Sequence, residues 1–285
     1  MSEWLREFPK ELYIDIKKPI DQAIGYMMEH WGPLFDGISA FLRQILLGVQ
    51  GFINLIPWWV LVLLVFVATW RLSRDPLRAV IYAGMLFFIG MIGLWGLMYT
   101  TLAIIITSVL ISLLLGFPLG ILISFSSRAG KLVRPLLDTM QTMPSFVYLI
   151  PAVMLLGLGN VPAVIATVIY SMPPIVRMTN LGIRSVDQEV VEASKAFGST
   201  RWQLLGKVLI PQAMPTIMAG INQTIMMAIA MVVTSSMIGA RGLGSEVLTG
   251  INRLESGRGF AAGIAIVIMA VLIDRLTQAM AKEKV

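Results

Sequence analysis

The stretch Val190–Pro215, VVEASKAFGSTRWQLLGKVLIPQAMP, is polar and punctuated in a chain otherwise built of long apolar runs. Ser185 with Gln188, just ahead of it, and Thr200 with Gln203, within it, have the S/T-x-x-Q spacing of a capping box. Gly198 falls between the two predicted helices, where a residue of left-handed conformation is wanted. The pattern predicts helix, glycine turn, helix, and then Pro211 opening a long apolar span. A hairpin carrying Glu192, Lys195 and Arg201 is costly to place in hydrocarbon. It is expected at a membrane surface, as a docking element for something soluble.

The rest of the chain sets that surface beside a bilayer. Of 285 residues, 57% are hydrophobic and 13% charged, too little polar surface to cover a soluble globule of this size. The opening MSEWLREFPKELYIDIKKP mixes both charge signs and lacks an apolar run behind a basic start, so no cleavable signal peptide is expected and the chain is read as beginning near Met1. With no cysteine and the single His30, disulfides, thiol chemistry and metal centres of Cys or clustered His are excluded. The net charge of +6 comes from basic residues beside apolar runs, with no single patch for nucleic acid.

A crossing helix needs about 20 apolar residues. Seven segments meet or approach that length: Leu55 to Trp70, Ala79 to Met98, Thr100 to Phe125, Met143 to Leu158, Val161 to Val176, Pro211 to Ile238 and Phe260 to Ile273. The expected fold is therefore all-α, a polytopic membrane bundle of about seven helices. Under that alternation most Lys and Arg, among them Arg71, Arg128, Lys131, Arg134, Arg177, Lys195, Lys207 and Arg275, fall on one side. That side is read as cytoplasmic, with the N-terminus outside, the C-terminus inside and the whole in the cell membrane.

Before the first span, Ile38, Phe41, Leu42, Ile45, Leu46, Val49, Phe52, Ile53 and Ile56 form a stripe opposite Asp36, Ser39, Arg43, Gln50 and Asn54. Two readings fit it: an amphipathic helix in the outer interface, or one packed on the spans of the same chain. The division expected is an extracytoplasmic tail over 1–54 and a transmembrane domain over 55–285, with the cytoplasmic hairpin at about 185–210.

With the spacing laid out, Glu192-Ala193-Ser194, three residues, Gly198, nine residues, then Val208-Leu209-Ile210-Pro211 resembles the EAA loop of binding-protein-dependent ABC importer permeases. Ser194 replaces the second Ala, Val208 an Ile and Ile210 a Leu. Similarity runs over roughly Leu102 to Leu276. LLDTMQTMPSFVYLIPAV (136–153), YSMPPIVRMTNLGIRSV (170–186), AGINQTIMMAIAMVV (219–233) and GARGLGSEV (239–247) resemble the glycine betaine/proline betaine branch. The resemblance implies a type I importer fold and osmoprotectant uptake. It also implies partnership with two ATP-binding subunits, a second copy of the chain and an extracytoplasmic substrate-binding protein. It implies that Glu192, Ala193, Ser194, Gly198 and Pro211 couple to the ATPase.

Energy coupling is read from absences. No Asp, Glu, His or Lys is expected mid-span, with Asp274 and Arg275 placed at a span's end, which argues against proton coupling. No G-x-x-x-x-G-K-[ST] occurs: Gly130-Lys131 runs into Leu132 and Gly206-Lys207 into Val208. The chain is expected to have no catalytic residue and no cofactor of its own, with ATP and Mg in the partner. GARGLGSEVLTG has the wrong spacing for a dinucleotide fingerprint and is expected to form a glycine-rich external turn. Along the sixth span Gly220, Gln223, Met227, Ala230 and Thr234 share a face flanked by Asn222 and Thr224; pathway lining and helix packing both fit. Gln141, Met143 and Tyr148 at the proline-broken fourth span are further pathway candidates, a shaping kink being the other reading. A different class of function, a self-sufficient secondary transporter or channel, or an ABC permease for another small solute, is the alternative.

Overall fold

The computed structural model describes residues 13–283, so most of the opening segment MSEWLREFPKELYIDIKKP, with Arg6 and Lys10, and also Lys284, lie outside the described residues. Twelve α-helices follow one another, and no strand occurs among the described residues. The all-α expectation holds, but the count of spans changes. Four stretches are long and apolar enough to cross a membrane: Trp95–Phe125, Asn160–Arg184, Arg201–Ile238 and Ser256–Met280. The number reaches six if two sharply bent helix pairs each count as one span.

The first pair is α1 (Lys17–Asn54) and α2 (Trp58–Ser73), bent by 86° at Pro57. Helix α1 starts well before the apolar stripe. Its Leu42, Leu46 and Ile53 are buried while Phe41 and Phe52 are exposed, so one edge of the stripe packs on the bundle. The Tyr99 hydroxyl donates to the Ile56 carbonyl at 3.0 Å and pins the corner. At the next corner Arg74 takes a left-handed conformation, and the Asp75 carboxylate accepts from the N–H groups of Leu77 and Arg78 to cap α3 (Pro76–Met91), with Pro76 in the first turn.

The second predicted span, Ala79 to Met98, is cut short. Helix α3 ends at Met91, Gly93 turns with φ +76°, and α4 (Trp95–Phe125) begins where no polar residue marks a break. The fourth predicted span is also revised. Helix α5 (Ser127–Thr142), lying between the third and fourth predicted spans, is capped by the Ser126 hydroxyl and meets α6 (Ser145–Leu156) at a 97° bend before Pro144. Twelve residues rise only about 18 Å, too short to cross alone.

Helix α7 (Asn160–Arg184) packs between α4 and the long helix that includes α10 (Ile210–Thr234). Lipid is as apolar as leucine, so such packing depends on close approach of small residues rather than on water exclusion. A Cβ at Gly120 of α4 would lie 2.9 Å from the Val176 carbonyl oxygen and 2.6 Å from Thr179 Cβ, both on α7. Only glycine fits that crossing. The expected glycine-rich turn also proves partly helical: α11 (Leu243–Asn252) starts at Leu243, whose N–H donates to Thr101 Oγ1 of α4 at 2.8 Å. It then packs on α12 (Ser256–Glu283).

Candidate coupling hairpin and transport pathway

The hairpin is α8 (Gln188–Ala196), a turn, and α9 (Arg201–Leu204). The second expected cap is present: Thr200 N–H donates to Gln203 Oε1 at 2.9 Å, and Gln203 N–H to Thr200 Oγ1 at 3.3 Å. The first is not. Asp187, a stronger acceptor closer to α8, takes the Glu189 N–H at 2.9 Å, while the Ser185 hydroxyl donates back to the Gly182 carbonyl within α7. Gly198 sits at φ +80°, with its N–H and that of Ser199 closing onto the carbonyls of Lys195 and Ser194. This is the left-handed stop that a Cβ would strain.

Below the turn, Leu205–Leu209 form a π turn in which the Ile210 N–H reaches the Leu205 carbonyl. Pro211 has no N–H to continue an ordinary ladder, which accounts for the wider turn immediately before it. The span does not open at Pro211; the helix runs through from Arg201 to Ile238.

Val191 is buried together with Leu204, Leu205 and Leu209 and with Ile183 of α7 and Ala213 and Ile217 of α10. The hairpin is thus seated on the two helices that form the centre of the bundle. On its outer face Glu192, Ala193 and Gly198 are exposed, Ser194 is half-buried with its hydroxyl donating to Ser199 Oγ at 2.9 Å, and Pro211 is exposed. Two residues missed by the motif stand out most: Phe197 is 92% and Trp202 is 82% exposed. Large aromatic side chains on an otherwise polar hairpin were the available signal, since such residues anchor interfaces.

The pathway candidates separate. Met143 and Tyr148 join one cluster with Met231 of α10 and Tyr170 of α7. The Tyr148 hydroxyl bonds the Met140 and Met143 carbonyls at 2.7 and 2.6 Å, so it fastens the α5–α6 corner. Gln141 and Met227 are half-buried and Gln223 is exposed. Thr234 donates to the Ala230 carbonyl of its own helix. Gly220 faces α7, where a Cβ would meet Met178 Cβ at 2.6 Å, so packing is its local role. Asn222 turns toward α12 and donates to Asp274 Oδ1 at 3.0 Å.

That contact revises the placement of Asp274. Helix α12 continues to Glu283, and Asp274, with a side chain only 19% exposed, lies level with the middle of α10. Between α4 and α7 the Ser112 and Ser171 hydroxyls meet at 3.1 Å. Among the described residues the hydroxyls of Thr107, Ser108, Thr167, Thr179 and Thr224 are buried without a hydrogen-bond partner. No group of three or more metal-ligating side chains occurs among the described residues.

Comparison with known proteins agrees with this architecture. Residues 112–284 match the family model described as binding-protein-dependent transport system inner membrane component. The chain is 43% identical over 98% of its length to the glycine betaine/proline betaine transport system permease protein ProW of Escherichia coli (strain K12), covering 78% of that protein. It is 46% identical over 93% of its length to the glycine betaine/carnitine transport permease protein GbuB of Listeria monocytogenes serotype 1/2a (strain 10403S), covering 94% of it. An inward-facing structure of the MetNI methionine ABC transporter superposes with a TM-score of 0.60 at 20% identity, over 70% of this chain and 97% of that one, which speaks to the fold alone. The chain belongs to the binding-protein-dependent transport system inner membrane components, the multi-pass membrane permeases of ABC importers.

Proposed function

We propose that this chain is the membrane permease subunit of an ATP-driven importer for glycine betaine or a related quaternary ammonium solute. The observation that carries the coupling part is the exposed hairpin, Asp187 to Leu209, whose inner face is packed into α7 and α10. Force applied to Phe197, Glu192 and the Ala193 face passes into the two central helices, because packed cores shift between arrangements rather than deform. Glu192, Ala193, Ser194, Gly198 and Pro211 belong to this coupling element, with Phe197 and Trp202 as its aromatic anchors.

Two ATP-binding subunits, carrying ATP and Mg, supply the hydrolysis. A second copy of the chain completes the pathway, and an extracytoplasmic binding protein delivers the solute. The N-terminal tail, through residue 54, lies outside and the C-terminus inside. Met143 and Met227, together with Gln141 and Gln223, are the pathway residues whose side chains make no hydrogen bond among the described residues. Tyr148, Asn222 and Thr234 border the same region. The solute assignment rests on the relatives named for glycine betaine. Labelled glycine betaine uptake, in cells lacking their own betaine transporters, tests it. Accumulation only when this chain, its ATP-binding subunit and its binding protein are expressed together supports the proposal; accumulation with this chain alone refutes it.

A further inference from the structure

On the same membrane face as the hairpin, a groove of about 1160 Å³ runs between the end of α4, the end of α7 and the inner side of α8 and α9. Arg184, Lys195 and Arg201 line it, and no carboxylate does. Lys195 and Arg201 form no ion pair among the described residues, and Arg184 reaches only the Ile123 carbonyl at 2.9 Å. Ser126 and Ser127 also line the groove, so the positive end of α5 adds to its field. Three cations gathered without a counter-charge repel one another unless an anion joins them.

The other end of the groove is apolar. It continues along α4 past Phe125 and Leu122 to Pro118, about 10 Å inside the helix end. Leu122 and Phe125 are 56% and 59% exposed there. A soluble protein segment does not follow a crossing helix to that depth, whereas an acyl chain does. Exposed Trp202 stands at the rim, the level at which indole rings sit between headgroups and water. Lys195 lies one turn from buried Val191, on the groove side of α8, while of the side chains assigned to the ATPase only Trp202 borders the groove, and Glu192, Ala193, Ser194, Phe197, Gly198 and Pro211 lie outside its lining.

We infer that this groove holds one anionic phospholipid, its phosphate between Arg184, Lys195 and Arg201 and its acyl chain along Phe125, Leu122 and Pro118. The bound lipid offsets part of the positive charge on the inner face of the hairpin and wedges α8 and α9 against α4 and α7. This site is independent of the solute transported, and its test does not involve transport.

The test is native mass spectrometry of the full chain, purified in mild detergent with equal phosphatidylglycerol and phosphatidylcholine. Preferential retention of one phosphatidylglycerol is expected. Each cation removed should weaken it about fivefold, so K195Q/R201Q should lose roughly twenty-five-fold. The control R128Q/K131Q, on α5 outside the groove, should retain the lipid, and unchanged thermal midpoints establish that both variants are folded. Glycerol 3-phosphate at millimolar concentration should not displace the lipid; displacement would assign the groove to free phosphate. Equal retention of both lipids, full retention by K195Q/R201Q, or loss of the lipid once the ATP-binding subunit is bound would each overturn the inference.

Discussion

The side-chain amide of Asn222 in α10 donates to Asp274 Oδ1 in α12 across 3.0 Å, and the Gln278 amide, one turn along α12, donates to the same oxygen at 2.7 Å. A carboxylate largely enclosed by helices is tolerated only when it is hydrogen-bonded. Asn222 therefore ties α10 to α12, while Gln278 holds the carboxylate in place from within α12. Asp274→Ala leaves both amides unpaired and should destabilise the chain by about 1 to 3 kcal/mol. Asp274→Asn, which keeps an acceptor, should cost less. Thermal unfolding of the purified chain in detergent measures both; equal midpoints for wild type and Asp274→Ala would count against the tie.

At the α4–α7 crossing, Gly120→Leu forces a side chain into the Val176 carbonyl and Thr179. Backbone cannot yield as a flexible side chain does, so the expected loss is about 1 to 3 kcal/mol or failure to fold. Gly84→Leu, on α3 with nothing within 4 Å of its Cβ position, is the matched control and should be nearly neutral.

Acid should loosen the α11–α12 corner. Glu246 is held below its ordinary value, first by the hydrogen bonds from Arg258, against the opposing effect of burial, and then by the charges of Arg258 and Arg253. A depressed carboxylate contributes stability above its unfolded-state pKa and loses it as pH falls through the folded-state value. The midpoint gap between wild type and Glu246→Gln should therefore be widest at pH 7 and narrow on acidification below about pH 4. A gap independent of pH would contradict this.

The absence of cysteine makes topology directly measurable. Thr200→Cys, in the exposed hairpin turn, should react with a membrane-impermeant maleimide only from the cytoplasmic side. Ile251→Cys, 64% exposed at the end of α11, should react only from outside. The reverse pattern would invert the orientation read from Lys and Arg.

What could be read from the residues was local and polar. The Thr200–Gln203 cap and the Gly198 turn are reciprocal contacts within a few residues, so their spacing alone specifies them. Ser185 failed as a cap because Asp187 competes from a better position. The α3–α4 break lies in Met91-Ile92-Gly93-Leu94-Trp95, where hydropathy is unbroken and a single glycine makes the turn. The apolar run of the last span ends near Ile273, which by sequence puts Asp274 at a span's end, and its partner Asn222 is 52 residues away. Exposure of Phe197 and Trp202 depends on the tertiary seating of the hairpin, which periodicity does not encode.

The central claim is that the hairpin couples ATP hydrolysis in another subunit to solute entry. Its most direct measurement is uptake of labelled glycine betaine into sealed proteoliposomes containing this chain, its ATP-binding subunit and its binding protein, with ATP in the lumen. Wild type should accumulate solute only with ATP. Phe197→Ala should fold normally yet lose uptake and ATP-binding-subunit copurification by about tenfold or more, as expected for an interface anchor. Accumulation without ATP, or normal uptake by Phe197→Ala, would contradict the account.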